Sequence, residues 1–178
     1  MIRTAIVMAA LMLPMNAMAQ TVTVNRGEAV TFTIDEDGKA APRVVDRKPA
    51  TDMTEFEKAT SAKFVSGAFD NATGNNPQPM TDAQMGMVSP KAAPNTVDLH
   101  FVRTAGKDAS LLVVINGYDR GMIYRATMRR GDKAEPTDVC LVMPGKIGNE
   151  YWPYPLDSIE LSDIRLVPWK PADGVPCA

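Results

Sequence analysis

Apolar and polar residues alternate with a period of two through much of this chain, the pattern of strands that bury one face. Thr21 to Val24 places Val22 and Val24 on one side. A turn-like Asn25-Arg26-Gly27-Glu28 follows, and Ala29 to Ile34 then sets Val30, Phe32 and Ile34 against Thr31 and Thr33. Two short strands about a glycine turn predict a hairpin, or neighbouring strands of a sandwich. Thr96 to Thr104 sets Val97, Leu99 and Phe101 against Asp98, His100 and Arg103. Ser110 to Ile115 is almost wholly apolar, which predicts a strand covered on both faces. Gly121 to Arg130 returns to alternation, with Met122, Tyr124, Ala126 and Met128 opposite Ile123, Arg125, Thr127 and Arg129. Further strands are expected at Thr137 to Met143 and at Ile159 to Val167. In the last, the apolar phase slips between Leu161 and Ile164, which predicts a bulge at Ser162-Asp163.

Residues 39–95 have a different texture, broken by Pro42, Pro49, Pro77, Pro79, Pro90 and Pro94. Only Asp52 to Phe64 carries a helical period, through Met53, Phe56, Thr60 and Phe64, with Asp52 and Glu55 resembling a capping box. Lys63 to Phe69 could instead form a short strand. The remainder predicts an irregular excursion, of a length that goes with function or mobility. About seven strands, short turns and little helix predict a mainly β fold. The expected architecture is an antiparallel β-sandwich of immunoglobulin-like, Greek-key type, carrying a short helix and the excursion. Over Thr21 to Asp35 (TVTVNRGEAVTFTID) the chain resembles bacterial immunoglobulin-like modules.

The N-terminus changes the setting. Arg3, the apolar run Ala5 to Leu13, the breakers Pro14 and Asn16, and Ala17-Met18-Ala19 have the layout of a secretory signal peptide cut after Ala19. The run is shorter than the roughly 20 residues that span a bilayer. Residues 20–178 are then the mature chain, enough for one domain, periplasmic or secreted, with no transmembrane segment. Its charge is one unit more negative than the −2 of the full chain. Such a balance argues against nucleic acid, whose binding domains cluster positive charge. Two cysteines in an exported chain, Cys140 and Cys177, predict one disulfide that pins the proline-rich tail to the core.

Candidate chemistry is sparse. Tyr151-Trp152-Pro153-Tyr154-Pro155 predicts a stiff aromatic loop, able to bind a sugar or a partner or to lid the sandwich. Arg125 and Arg129 share a strand face and offer bidentate forks to an anion, or pair with acids of a neighbouring strand. His100 is the only histidine and is expected to face solvent beside Asp98. With the thioethers of Met85 and Met87 it could make a soft copper site. Asp157, Glu160 and Asp163 lie close in sequence, as a carboxylate-dependent hydrolase would need, although alternation scatters them over both faces. No catalytic constellation and no cofactor motif emerges. The expectation is an exported, non-catalytic accessory or binding protein of the cell envelope, recognising a protein or glycan. Copper handling and carboxylate-dependent hydrolysis are the alternatives.

Overall fold

The computed structural model describes residues 21–37, 40–66, 89–104 and 108–177. The described residues form β1 (Val22–Asn25), β2 (Glu28–Thr33), β3 (Arg43–Pro49), α1 (Glu55–Val65), β4 (Val97–Arg103), β5 (Ser110–Asn116), β6 (Gly121–Arg130), β7 (Lys133–Thr137), β8 (Ile147–Trp152) and β9 (Ser158–Val167). The strands make two antiparallel sheets, ordered β1-β9-β6-β7 and β3-β2-β4-β5-β8. The molecule is thus mainly β, with two sheets in a sandwich-like arrangement and one short helix among the described residues.

Alternation explains the core. Val22 and Val24 of β1, Val30 and Phe32 of β2, Val97, Leu99 and Phe101 of β4, Met122 and Tyr124 of β6, and Ile159 and Leu161 of β9 meet between the sheets. Each large side chain buried there contributes roughly 1.5–3 kcal/mol. A second cluster lies on the other face of the five-stranded sheet. Val102, Leu111, Val113 and Ile115 pack there against Phe56 of α1, with Met53, Phe64, Ala92 and Ile147 at the edge. That is why β5 is apolar on both faces: Leu112 and Val114 point to the core, Leu111, Val113 and Ile115 to the helix layer.

The helix starts two residues later than the Asp52/Glu55 pattern predicts. Thr54 is the N-cap, in extended conformation, and its partner is Glu57. The Glu57 carboxylate accepts from the Thr54 backbone N–H at 2.6 Å, and Thr54 Oγ1 accepts from the Glu57 N–H at 3.2 Å. Burial of Phe56 and Thr60, one turn apart, sets this register. Lys63 to Val65 continue the helix and do not form a strand.

Other elements depart from the expectation in instructive ways. Of the expected strand Thr137 to Met143 only Thr137 lies in one, as the last residue of β7; the rest retains only isolated bridges, Met122 with Val142 and Cys140 with Cys177. Leu141 and Val142 are adjacent and both buried, which two-fold alternation on a half-covered strand does not allow. The bulge does fall at the slip: the β6–β9 register shifts between Ile123 and Arg125, opposite Arg165 and Ser162, and Asp163 has φ 50°. Within the excursion the chain forms β3 as well as α1, and residues 67–88 lie outside the described set.

Two devices tie the irregular parts down. The disulfide Cys140–Cys177 spans 37 residues, worth about 3–4 kcal/mol in the chain-entropy account, and the Trp169 indole N–H donates to the Gly174 carbonyl at 2.6 Å. On the helix side, Gly117 allows the turn at 93–96 to sit directly on the β5–β6 connection. A Cβ on Gly117 would stand 2.2 Å from the Ala93 carbonyl oxygen and 2.8 Å from that of Thr96. Hydrogen bonds from Gly117 N–H to Thr96 O and from Asn95 N–H to Gly117 O fasten the contact. No helix among the described residues is long and apolar enough to cross a membrane. The disulfide is consistent with an extracellular location.

Candidate functional site

Three places gather polar side chains, and the first centres on His100. Alternation in β4 turns His100 away from the core, as expected, but α1 covers that face. Its row across the sheet runs Ala29, His100, Val113, Asn149. His100 Nδ1 lies 3.2 Å from Glu57 Oε1; the histidine side chain is 27% exposed and the glutamate 2%. His100 is therefore half-buried and paired, not a free surface residue. Burial pushes the Glu57 carboxyl up, but hydrogen bonds from His100 and from the Thr54 backbone and side chain outweigh it and hold Glu57 below its ordinary value. The pair stands at the wall of a cavity of about 250 Å³ whose other walls are Thr54, Phe56, Pro90, Val113 and Ile115. Met85 and Met87 lie outside the described residues, as does any ligand set built on them.

The aromatic segment is divided by β8. Tyr151 points outward and stacks on Phe64 of α1, with centroids 5.0 Å apart and planes 7° apart. Trp152 points inward, 6% exposed, edge-on to Phe101 at 6.4 Å, and its indole N–H donates to Thr137 Oγ1 at 3.3 Å. Trp152 is thus a core residue, and the loop proper is reduced to Pro153, Tyr154 and Pro155. Tyr154 is half-buried; its hydroxyl meets Met128 Sδ at 3.7 Å and the Arg130 guanidinium lies 5.9 Å from its ring centroid. Met128, Arg130, Asp132, Lys133, Glu135, Tyr154 and Leu156 enclose a cleft of about 580 Å³ beside the β6–β7 turn.

The arginine stripe does not join this cleft. Arg125 pairs with Asp163 at 3.2 Å and Arg129 with Glu160 at 2.9 Å, both acids of β9. Asp157 accepts from the Gly131 N–H at 2.7 Å and lies 3.6 Å from Arg26. Each of the three clustered carboxylates is thereby taken up by its own basic or backbone partner, and no two of them form a cooperating pair. Arg130, the next residue along, is the one that reaches an aromatic ring.

Glu150 is the titratable group that pattern reading misses. It stands opposite Leu112 on the core-facing side of β8, between Gly148 and Trp152. Burial raises its carboxyl to about 7; a hydrogen bond from the Cys140 backbone opposes this and the charge of Asp138 adds to it. The Tyr124 hydroxyl is buried, has no hydrogen-bond partner among the described residues, and is pushed well above its ordinary value by burial and then by Glu150. The clue was the spacing Gly148-Glu150-Trp152, visible once a strand is drawn through Trp152.

A stability prediction follows from Glu150. A rise from 4.5 to about 7 corresponds to roughly 3 kcal/mol, and solvent contact at this half-buried side chain lowers that to about 2 kcal/mol. The carboxyl is raised, so folding is favoured below about pH 4.5, where both states hold the proton, and is progressively penalised as pH rises through 7. Glu150→Gln keeps the acceptor for Cys140 and removes the charge. Urea titrations of the variant should show no gain at pH 4 and a gain of about 2 kcal/mol at pH 8. A gain independent of pH would mean that ionisation is not its source.

No family model, no curated protein and no solved structure matches the chain.

Proposed function

We propose that the protein is a non-catalytic accessory protein of the cell envelope, exported by its signal peptide and cut after Ala19, which recognises another protein or a glycan. The observation that carries this reading is the cleft beside the β6–β7 turn. There an aromatic ring on a stiff loop, two cations, two carboxylates and a Met-Leu floor converge in about 580 Å³. Pro153 and Pro155 restrict the backbone on either side of Tyr154, so little entropy is lost when its ring is covered. Arg130 and Lys133 supply positive charge at the rim of an otherwise mildly acidic chain. Rings with adjacent charged donors are what protein hot spots and sugar subsites share.

Crosslinking of tagged protein in its native envelope tests this. The double variant Arg130→Ala/Lys133→Ala changes two exposed side chains and should leave stability within about 0.5 kcal/mol. It is expected to reduce capture of the crosslinked partner about tenfold. Unchanged capture would remove the cleft from the interface.

A further inference from the structure

A different observation, independent of that cleft, concerns the cavity beneath α1. We propose that it binds a small neutral molecule of the phenol class, one apolar ring bearing one hydroxyl, with His100 Nε2 as its polar anchor.

The chemistry follows from what the walls offer and what they have already used. Glu57 is a carboxylate below its ordinary value, so it only accepts hydrogen bonds. It stands 3.2 Å from Nδ1, which must then carry the proton. Nε2, on the far side of the ring from Glu57, is left with no hydrogen bond to a described residue, and a hydroxyl can either donate to it or accept from it. Thr54 is committed to Glu57 through both its backbone N–H and its side chain. The remaining walls, Phe56, Pro90, Val113 and Ile115, are apolar. A ligand therefore meets one imidazole nitrogen among otherwise apolar walls.

That combination excludes most ligand classes. An anion would stand against the buried carboxylate of Glu57. A cation would find that carboxylate already engaged by His100 and Thr54. A hydrocarbon would cover Nε2 and leave a buried polar nitrogen unpaired, which is penalised. Size sets the rest: about 250 Å³ lies below the roughly 300–1,000 Å³ of sites for drug-sized molecules, so the occupant is a single ring. A phenolic hydroxyl satisfies Nε2 while the ring covers Phe56, Val113 and Ile115. The positioning is firm, because the helix that carries Phe56 and Glu57 is capped at Thr54 and packed through Phe56 onto the sheet.

The test uses the full mature chain with p-cresol and toluene, which differ by the hydroxyl alone. Methyl and histidine-ring NMR are followed during titration of each. The expected result is saturable p-cresol binding, nuclear Overhauser contacts from its ring to the Val113 and Ile115 methyls, and a shift of the His100 Nε2 resonance. Toluene should bind about tenfold more weakly and leave Nε2 unmoved. No saturation by p-cresol up to about 10 mM, contacts only to other methyls, or equal affinity for the two probes would each overturn the assignment. Every readout is on the unaltered protein, so loss of folding in a variant does not enter.

Discussion

Truncating Trp152 to alanine is expected to cost about 3–5 kcal/mol of stability, the range for removing a large aromatic ring from a packed interior. The side chain is 6% exposed, lies edge-on to Phe101, and closes the core where β8 ends. Alanine would leave a cavity between the two sheets and strand Thr137 Oγ1 without its indole donor. Trp152→Phe keeps most of the apolar area and loses the hydrogen bond, so it should cost about 1 kcal/mol beyond the volume change. Urea denaturation at one pH measures both, with an unchanged slope showing that two-state behaviour holds. A loss below about 0.5 kcal/mol for the alanine variant is what a solvent-facing binding residue would give. That result would return Trp152 to the surface role that its setting among prolines and tyrosines suggests on paper.

Why the paper reading of that residue differs from its place in the fold is a matter of what alternation records. A strand that buries one face prints its geometry into the chain, and β1, β2, β4, β6 and β9 were legible for that reason. β5 was legible as doubly covered because nearly every residue from Ser110 to Ile115 is apolar. β3 and β7 print almost nothing: they are edge strands, and apart from half-buried Thr137 all their residues are exposed. β8 is masked differently. Its inward side carries Gly148, Glu150 and Trp152, a glycine, a carboxyl group and a ring, so no apolar period survives. The aromatic residues at its end then look like a loop.

The same limit applies to the candidate sites. Pairing of Arg125 and Arg129 with acids of a neighbouring strand could be foreseen, because cross-strand charge pairs are local to a sheet. The disulfide could be foreseen from count and compartment. His100 could be assigned to the outer face, but the alternation cannot say what covers that face. Its partner Glu57 sits on a helix far away in the chain, and only the packing of Phe56 onto Val113 and Ile115 brings the two together. Tyr154 meets Arg130 and not Arg125 or Arg129, because the β6–β7 turn and not the face of β6 points at the loop.

Replacing His100 by leucine should cost about 3 kcal/mol at pH 7, and the pH dependence of that cost is the sharper result. In the unaltered protein Glu57 is held below its ordinary value of 4.5, so its contribution to stability is present above that pH and is lost as pH falls through the lowered value. Without His100 the burial of a carboxylate that is only 2% exposed is opposed by Thr54 alone. Removing one member of a buried pair costs about 3–5 kcal/mol, and the solvent contact of His100 places this case at the low end. Glu57 in the variant then binds a proton more readily when folded than when unfolded, which reverses the sign of its linkage. The penalty should therefore shrink on acidification from pH 7 to pH 4, where unaltered Glu57 is instead losing its contribution. The double variant Glu57→Gln/His100→Leu removes the charge that causes the penalty and should recover most of the loss at pH 7. Urea titrations of the three proteins at pH 4, 5.5 and 7 decide the matter. A cost for His100→Leu that is the same at every pH, or a double variant no more stable than the single one, would mean that shape and not charge joins α1 to the sheet.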